Sequence, residues 1–393
     1  MPEPSILGVL GMIWIVFKYT WWIFLPLGLY SVFRPLWASY TANILFFGGE
    51  AQMTLFEIKI PKEMVVSIKA MENVFTGLLA AGKTITKYEN IIFGRLQDMF
   101  SLEIIGQEGQ VRFFALCPKR SISLLHRSLY AQFPEIEIKP VTEDYFNLLP
   151  STVPDENWDM YGAKMVLANE DCKPLNTYPM MEDRIEGEII DPLSIMYEAM
   201  GNLGPGEFLI YQVHIAIPSD DSWRKKGRAF IEDILKKYNI GVQADYDEEG
   251  PSFRTLPPHE LELVKAVSAK INKPAFNTQI ILAYVARKEV YDGIMPSAIA
   301  GALRMTESDD NALITDKYYS TTTRYLFSKG RNVYRKRRLF RLLLTRDIHT
   351  ANTLNVEELA TIFHFPPPMT KMPSVQRLDS KTAPAPSNLP VAE

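Results

Sequence analysis

The stretch SILGVLGMIWIVFKYTWWIFLPLGLYSVF, residues 5–33, restricts the fold more than any other part of this chain. Its only charge is Lys18. A helix from Trp14 to Phe33 rises about 30 Å at ~1.5 Å per residue, the thickness of a bilayer's hydrocarbon core. Lys18 lies close enough to the start of that span to snorkel to the interface. Trp14 and Trp37 suit an aromatic belt, Trp21 and Trp22 less so, and Pro26 could kink a spanning helix without preventing it. A secretory signal wants a basic start and a short apolar core. Here Glu3 stands at the start, no Lys or Arg precedes Trp14, and the apolar run is too long. The stretch therefore predicts a transmembrane helix at about 14–33 within an anchor spanning residues 1–40. Arg34, Lys59 and Lys62 follow the span, so the positive-inside bias predicts a single-pass inner-membrane protein with its bulk in the cytoplasm.

The rest of the chain is that of an ordinary folded protein. Its 393 residues leave room for two or three domains, and 47% hydrophobic with 22% charged residues excludes a disordered chain. A net charge of −4 requires any basic site to be local. Cys117 and Cys172 are too few for a disulfide framework. His126, His214, His259, His349 and His364 are scattered, with no pair at metal-ligand spacing, so neither metal nor cofactor is expected.

Local patterns predict an α+β chain. Residues 52–63 alternate as a strand ended by Pro61, and Met64 to Leu79 place apolar residues at helical spacing. SLEIIGQEGQVRFFALCP reads as two strands about a turn near Gly106 and Gly109, SISLLHRSLYAQF as a helix, and EIEIKPV as a strand. The order β-α-β-β-α-β over 52–142 is the split βαβ of a ferredoxin-like fold. A second such unit follows, with strands at 163–169, 207–218 and 276–287 and helices at 191–206, 259–271 and across 290–304. The expected domains are thus 50–150 and 160–310, the latter with an insertion at 219–257. A basic and helical segment at 311–368 and a proline-rich tail at 369–393 complete the chain.

Two motifs bear on function. Gly77 to Thr84 spell G-x-x-x-x-G-K-T, the phosphate-loop pattern of nucleotide hydrolases. A working loop runs from strand to helix, so that backbone N–H groups surround the phosphates at a helix N-terminus. Here the motif follows a helix, Gly82 reads as that helix's stop, and no apolar strand ending in Asp supplies a magnesium ligand. A P-loop hydrolase at 77–84 is the weakest reading, and no other catalytic constellation stands out. The second motif is RYLFSKGRNVYRKRRLFRLLLTR, residues 324–346, which holds no acid. Arg335, Lys336, Arg337, Arg338 and Arg341 are candidate contacts for phosphate or anionic lipid, with Tyr325, Phe327 and Tyr334 available to stack on bases. The bland alternative is a solvated helix face whose Leu339, Phe340, Leu342 and Leu343 pack inward.

Several phrases occur together in order: FEIKIPKE…KAMENVF at 56–75, SLEIIGQEGQVRFF at 101–114, YAQFPEIEI at 130–138, DPLSIMYEAMGNLGPGE at 191–207, LNVEELATIFHFP at 354–366 and SNLP at 387–390. As a set they resemble the membrane-anchored N-terminal region of type IV secretion and conjugation-like ATPases of the TraG/HerA-FtsK type from uncultivated bacteria. That resemblance implies a bacterial domain of unknown function that normally precedes a P-loop ATPase, and SNLP resembles the junction before it. It implies a non-enzymatic accessory subunit of a DNA-transfer apparatus that docks a separate HerA/FtsK/TraG-type ATPase; a homo-oligomer is left open by the sequence. None of the matching residues has an active-site role to carry over. A tethered nucleic-acid binder using 324–346 is the alternative.

Overall fold

The computed structural model describes residues 6–41, 52–61, 67–86, 88–89, 92, 95–181, 191–238, 256–295, 301, 303–323, 327–348, 352–366 and 377–378. Several sequence readings lie outside the described residues. These are 239–255 of the insertion, most of the helix expected across 290–304, Arg324, Tyr325, His349, and the tail with SNLP. The chain divides into two compact units, residues 1–52 with 83–96, and residues 53–82 with 97–393.

The first unit contains α1 (Ile6–Tyr40), 35 residues with Pro26 and Pro35 inside it. Within it the Trp22 indole donates to the Tyr19 carbonyl at 2.8 Å, and Ser31 donates to that of Gly28 at 2.8 Å. Among the described residues no helix is long and apolar enough to cross a membrane. This corrects both the expected transmembrane helix at about 14–33 and the single-pass inner-membrane placement that rested on it. The physical reason lies in the composition of the stretch. Lys18, Tyr19, Thr20, Trp21, Trp22, Pro26, Tyr30 and Ser31 interrupt its aliphatic residues. Rings with polar edges favour an interface over a hydrocarbon core.

The second unit is α+β. Its first four strands are β1 (Met53–Pro61), β2 (Met99–Gln107), β3 (Gln110–Pro118) and β4 (Glu137–Pro140). Helix α2 (Ile68–Leu78) follows β1, and α3 (Ile122–Gln132) follows β3. Then come β5 (Trp158–Leu167), α4 (Ser194–Gly201), β6 (Glu207–Ala216), α5 (Ser222–Lys237), α6 (Pro258–Asn272) and β7 (Ala275–Arg287). The chain continues through β8 (Leu313–Ser320), α7 (Ser328–Thr345), β9 (Asn352–Asn355) and α8 (Val356–Ile362). Strands β1 to β9 form one antiparallel sheet in the order β4-β1-β3-β2-β6-β7-β5-β8, with β9 on β7, and the two-residue β10 (Arg377–Leu378) adds parallel to β1. The expected picture of an anchor followed by two separate sandwiches is corrected to one continuous sheet. The reason is β2 and β6, which pair over nine residues from Met99↔Ala216 to Gln107↔Phe208. Both are buried on both faces, so neither can end a sheet against water.

Local chemistry explains the elements. The β2–β3 hairpin turns through Glu108 (φ 49°) and Gly109 (φ 73°), the two left-handed residues of a type I′ turn. On β5, a Cβ at Gly162 would lie 2.7 Å from the Leu282 carbonyl, so glycine permits the close approach of β7. Along β6, Leu209, Tyr211, Val213 and Ile215 point to one face while Phe208 and Ile210 point to the other. The first face is covered by α2, α3, α4 and α8. The second carries the turn Tyr145–Leu148 and α7. Trp223 of α5, inside the expected insertion, packs with Val267 and Ile271 of α6 and with Cys172.

The phosphate-loop pattern is absorbed into this packing. α2 runs through Gly77 and tightens into a 3-10 turn at Leu79–Ala81. Gly82 leaves it with φ −59°, so it ends the helix without a left-handed residue. At Gly77 a Cβ would come within 2.7 Å of the Ser128 hydroxyl, so this glycine serves helix contact.

The segment LNVEELATIFHFP is interior. Asn355 and Glu358 make a capping box, and Val356, Leu359, Ile362, Phe363 and Phe365 are buried. Glu358 also accepts from Leu175 N–H at 2.8 Å and faces the buried Lys270 ammonium at 3.0 Å. The Tyr211 hydroxyl donates to Ile362 O and that of Tyr197 to His364 O, at 2.8 and 2.7 Å, while the His364 ring meets Asp191 at 3.0 Å. Residues 354–365 therefore belong to the core, with Glu357 partly exposed. Lys270→Ala leaves the Glu358 carboxylate buried without its cation, which costs about 3–5 kcal/mol. Urea denaturation of the variant should show a loss of that size, and a loss under 1 kcal/mol would contradict the role given to this pair.

Candidate anion-binding face

The basic segment forms α7, whose inner side is set by Leu339, Phe340, Leu342 and Leu343, at the spacing that brings residues onto one helical face. These four pack on Phe114, Tyr145, Ile210 and Ile281. The helix ends at Arg346, held in the left-handed region (φ 54°) with its N–H on Leu342 O. A non-glycine residue there is uncommon. What holds Arg346 is its buried guanidinium. Nε donates to Glu103 Oε1 at 2.6 Å, Nη2 to Glu103 Oε2 at 3.1 Å, and Nη1 to Asp144 Oδ2 at 2.6 Å. Glu103 lies on β2 and accepts further bonds from the Ser101 and Tyr145 hydroxyls at 2.6 and 2.8 Å. Burial alone would raise the Glu103 carboxyl, but the Arg346 charge and these hydrogen bonds outweigh it and hold it below the ordinary range. Burial and the adjacent Glu103 raise the Tyr145 phenol, so it remains a donor.

Beside Glu103 stand Gln212 and His214 on β6, in register with Glu103 and Ser101 of β2. Gln212 donates to the Tyr145 hydroxyl at 2.9 Å. Both ring nitrogens of His214 lack a partner among the described residues, and burial pushes its pKa down to about 4. The imidazole is therefore neutral at physiological pH, beside the Glu103–Arg346 pair.

Of the five predicted contacts, three are engaged by other groups of the chain, although Arg338 is exposed. Arg335 donates to the carbonyls of Lys317 and Ser320 at 2.8 and 3.3 Å. Lys336 pairs with Asp159 at 2.5 Å. The Arg338 guanidinium lies 4.2 Å from the centre of the Tyr319 ring, a cation–π contact. Arg337 and Arg341 are exposed, and no acid among the described residues pairs with them. Lys329 and Arg331, earlier on the same helix, are exposed in the same way. Tyr334 lies among these cations at 67% exposure, and Phe327 at the helix start is 84% exposed. With a 3.6-residue period, Arg331, Tyr334, Arg337/Arg338 and Arg341 make one outward stripe about 15 Å long. The sequence located the charge but not its division. Arg346, with the greatest structural role of the run, carries no local mark that distinguishes it from Arg341.

A groove of about 650 Å³ opens beside this stripe. One wall is Val333, Lys336 and Arg337 of α7. The other is the segment from Pro154 to Asp159, with Lys288 from the end of β7. The Lys288 ammonium donates to the backbone carbonyls of Asp155 and Glu156 at 2.7 and 3.0 Å and fixes that turn. Among the described residues no cluster of three or more His, Cys, Asp or Glu is arranged to hold a metal. Cys117 and Cys172 are buried free thiols, raised by burial to about 12 and about 11.

No family model matches the chain, and no curated protein matches it. Among solved structures, it is similar to a glycopeptide hexose oxidase in complex with teicoplanin. The identity is 7% and the TM-score 0.25, over 66% of this chain and 44% of that one. The chain spans less than half the length of that protein, and so distant a likeness carries no argument about fold or activity.

The buried imidazole makes stability depend on pH. His214 takes up a proton below about 6.5 when unfolded but only below about 4 when folded. Protons therefore favour the unfolded chain between those values, and stability falls as pH drops from 6.5 towards 4. Denaturation midpoints across that window should slope downward towards acid, and His214→Leu should flatten much of the slope. An equal slope in the variant would assign it to other groups.

Proposed function

We propose that this chain is a non-enzymatic component of a DNA-transfer apparatus of the type IV secretion kind, acting beside a separate P-loop ATPase and touching nucleic acid through α7. The observation that carries the nucleic-acid contact is the exposed set Arg331, Arg337 and Arg341, with Tyr334 between them and no internal acid spent on any of the three among the described residues. Surface arginines held at fixed spacing on a rigid helix suit phosphate oxygens, and an exposed ring among them suits a base. The ATPase partnership is supported by the resemblance. Most of the phrases that carry it lie in β1, α2, β2, β3, α4 and α8, which build part of the sheet and its cover on one face. The resemblance thus concerns a scaffold, in keeping with an accessory role. An anionic-lipid partner for the same arginines loses the anchorage it rested on.

Fluorescence anisotropy with a labelled single-stranded oligonucleotide tests the contact. Neutralising three phosphates gives log K a salt slope of about −2. Arg331→Glu, Arg337→Glu and Arg341→Glu together should weaken binding at least tenfold and remove most of that slope. The fold should be unaffected, since all three side chains are exposed. Unchanged binding in the triple variant, or preference for anionic vesicles over the oligonucleotide, would overturn the reading. Co-purification with a HerA/FtsK/TraG-type ATPase from a native cell lysate tests the partnership, and its repeated absence would count against it.

A further inference from the structure

We infer that the groove beside α7 takes a single unpaired base bearing an exocyclic amino group, from a single strand whose phosphates lie along Arg331, Arg337 and Arg341. This rests on the nucleic-acid reading of α7 and adds to it which form of nucleic acid, and which part of it, is bound.

The argument begins with charge. Three acids (Asp155, Glu156, Asp159) and two bases (Lys288, Lys336) line the groove together with the exposed Arg337, which it shares with the stripe, so the groove itself has no net positive charge. A phosphate gains little there, whereas a neutral polar group loses only hydration that hydrogen bonds to the lining can replace. The uncompensated charge lies outside, on the stripe. A ligand matched to both is anionic along its length and neutral at its branches, which is the layout of a nucleic-acid strand.

Most of the lining groups are already committed. The Asp155 carboxylate accepts from the N–H groups of Asn157 and Trp158 at 2.8 and 2.6 Å. Asp159 accepts from Lys336 and from Met160 N–H. Lys288 is held on backbone carbonyls. Two groups are left unspent among the described residues, the exposed Glu156 carboxylate and the exposed Arg337 guanidinium. They line one groove, yet no ion pair joins them, so there is space between an acceptor and a fork of donors. Pro154 and Val333 supply apolar surface beside them, suited to the flat face of a ring. A volume of about 650 Å³ admits a nucleotide. An ionised carboxylate only accepts hydrogen bonds. It therefore favours a base whose edge ends in an amino group, as those of cytosine (N4) and adenine (N6) do, over thymine, whose one donor, N3–H, lies between two carbonyl oxygens that repel a carboxylate. In a duplex the ring faces are stacked and closed to Pro154 and Val333, so laying a ring against them requires a single strand.

Anisotropy titrations with oligo-dC and oligo-dT of equal length at pH 7.5 read this directly, because the two have the same backbone charge. The wild type should bind oligo-dC about tenfold more tightly, the size of one hydrogen bond to a charged group. A duplex of the same length should bind more weakly than oligo-dC. Glu156→Gln adds an amide donor that can serve thymine O4, and should erase or reverse the dC preference while leaving the salt slope unchanged. Equal binding of oligo-dC and oligo-dT by the wild type, or an unchanged preference in Glu156→Gln, would overturn the base site and leave the arginine contact standing. Failure of both oligonucleotides to bind with any salt dependence would overturn the two together.

Discussion

The nine-residue pairing of β2 with β6 is the interaction on which the rest of the second unit depends. On one side of that seam the strands run β4-β1-β3-β2, and on the other β6-β7-β5-β8. Each half places its first strand next to its third and its fourth next to its first, so the second half repeats the order of the first. Joining the halves edge to edge removes two sheet edges, which would otherwise offer unpaired N–H and C=O groups to other chains. It also puts β2 and β6 at the centre, where apolar side chains on both faces can be covered.

The seam has a polar part. Ser101, Glu103, Gln212 and His214 occupy its second face, where a purely apolar core would be simpler. Arg346 reaches them from the end of α7 and Tyr145 from a separate turn. A carboxylate this deep is stable only with a cation and several donors around it. The cluster therefore ties three distant pieces of chain to one place, and α7 is oriented by it. The outward direction of Arg331, Arg337 and Arg341 follows from the inward direction of Arg346.

Much of this was legible in local patterns. The capping box of Asn355 and Glu358, the I′ hairpin, the helical spacing from Ile68 to Leu78 and the charge of α7 are each set by neighbours in sequence. The β2–β6 seam was not, because its partners are over a hundred residues apart and neither strand carries a mark of the other. The same holds within the basic run. Arg335, Lys336 and Arg338 differ from Arg337 and Arg341 only through β5 and β8, and Asp159 lies 177 residues from Lys336. The stretch 5–33 misled in another way. Eight of its residues are aromatic, and a count of apolar letters does not separate them from the aliphatic ones.

Burial of residues 354–365 has a consequence for biosynthesis. The face of the sheet built by β1, β3, β2 and β6 is closed by α8, which leaves the ribosome after every strand of that face has been made. Until then, Phe113, Tyr197, Tyr211 and Phe276 lack one of their covers, and the contacts that complete them span 80 to 250 residues. Closures over such separations are slow, and apolar surface left open meanwhile is prone to association. The nascent chain must therefore carry an unfinished sheet through most of its synthesis, and a chaperone or a partner that shields this face would act before release.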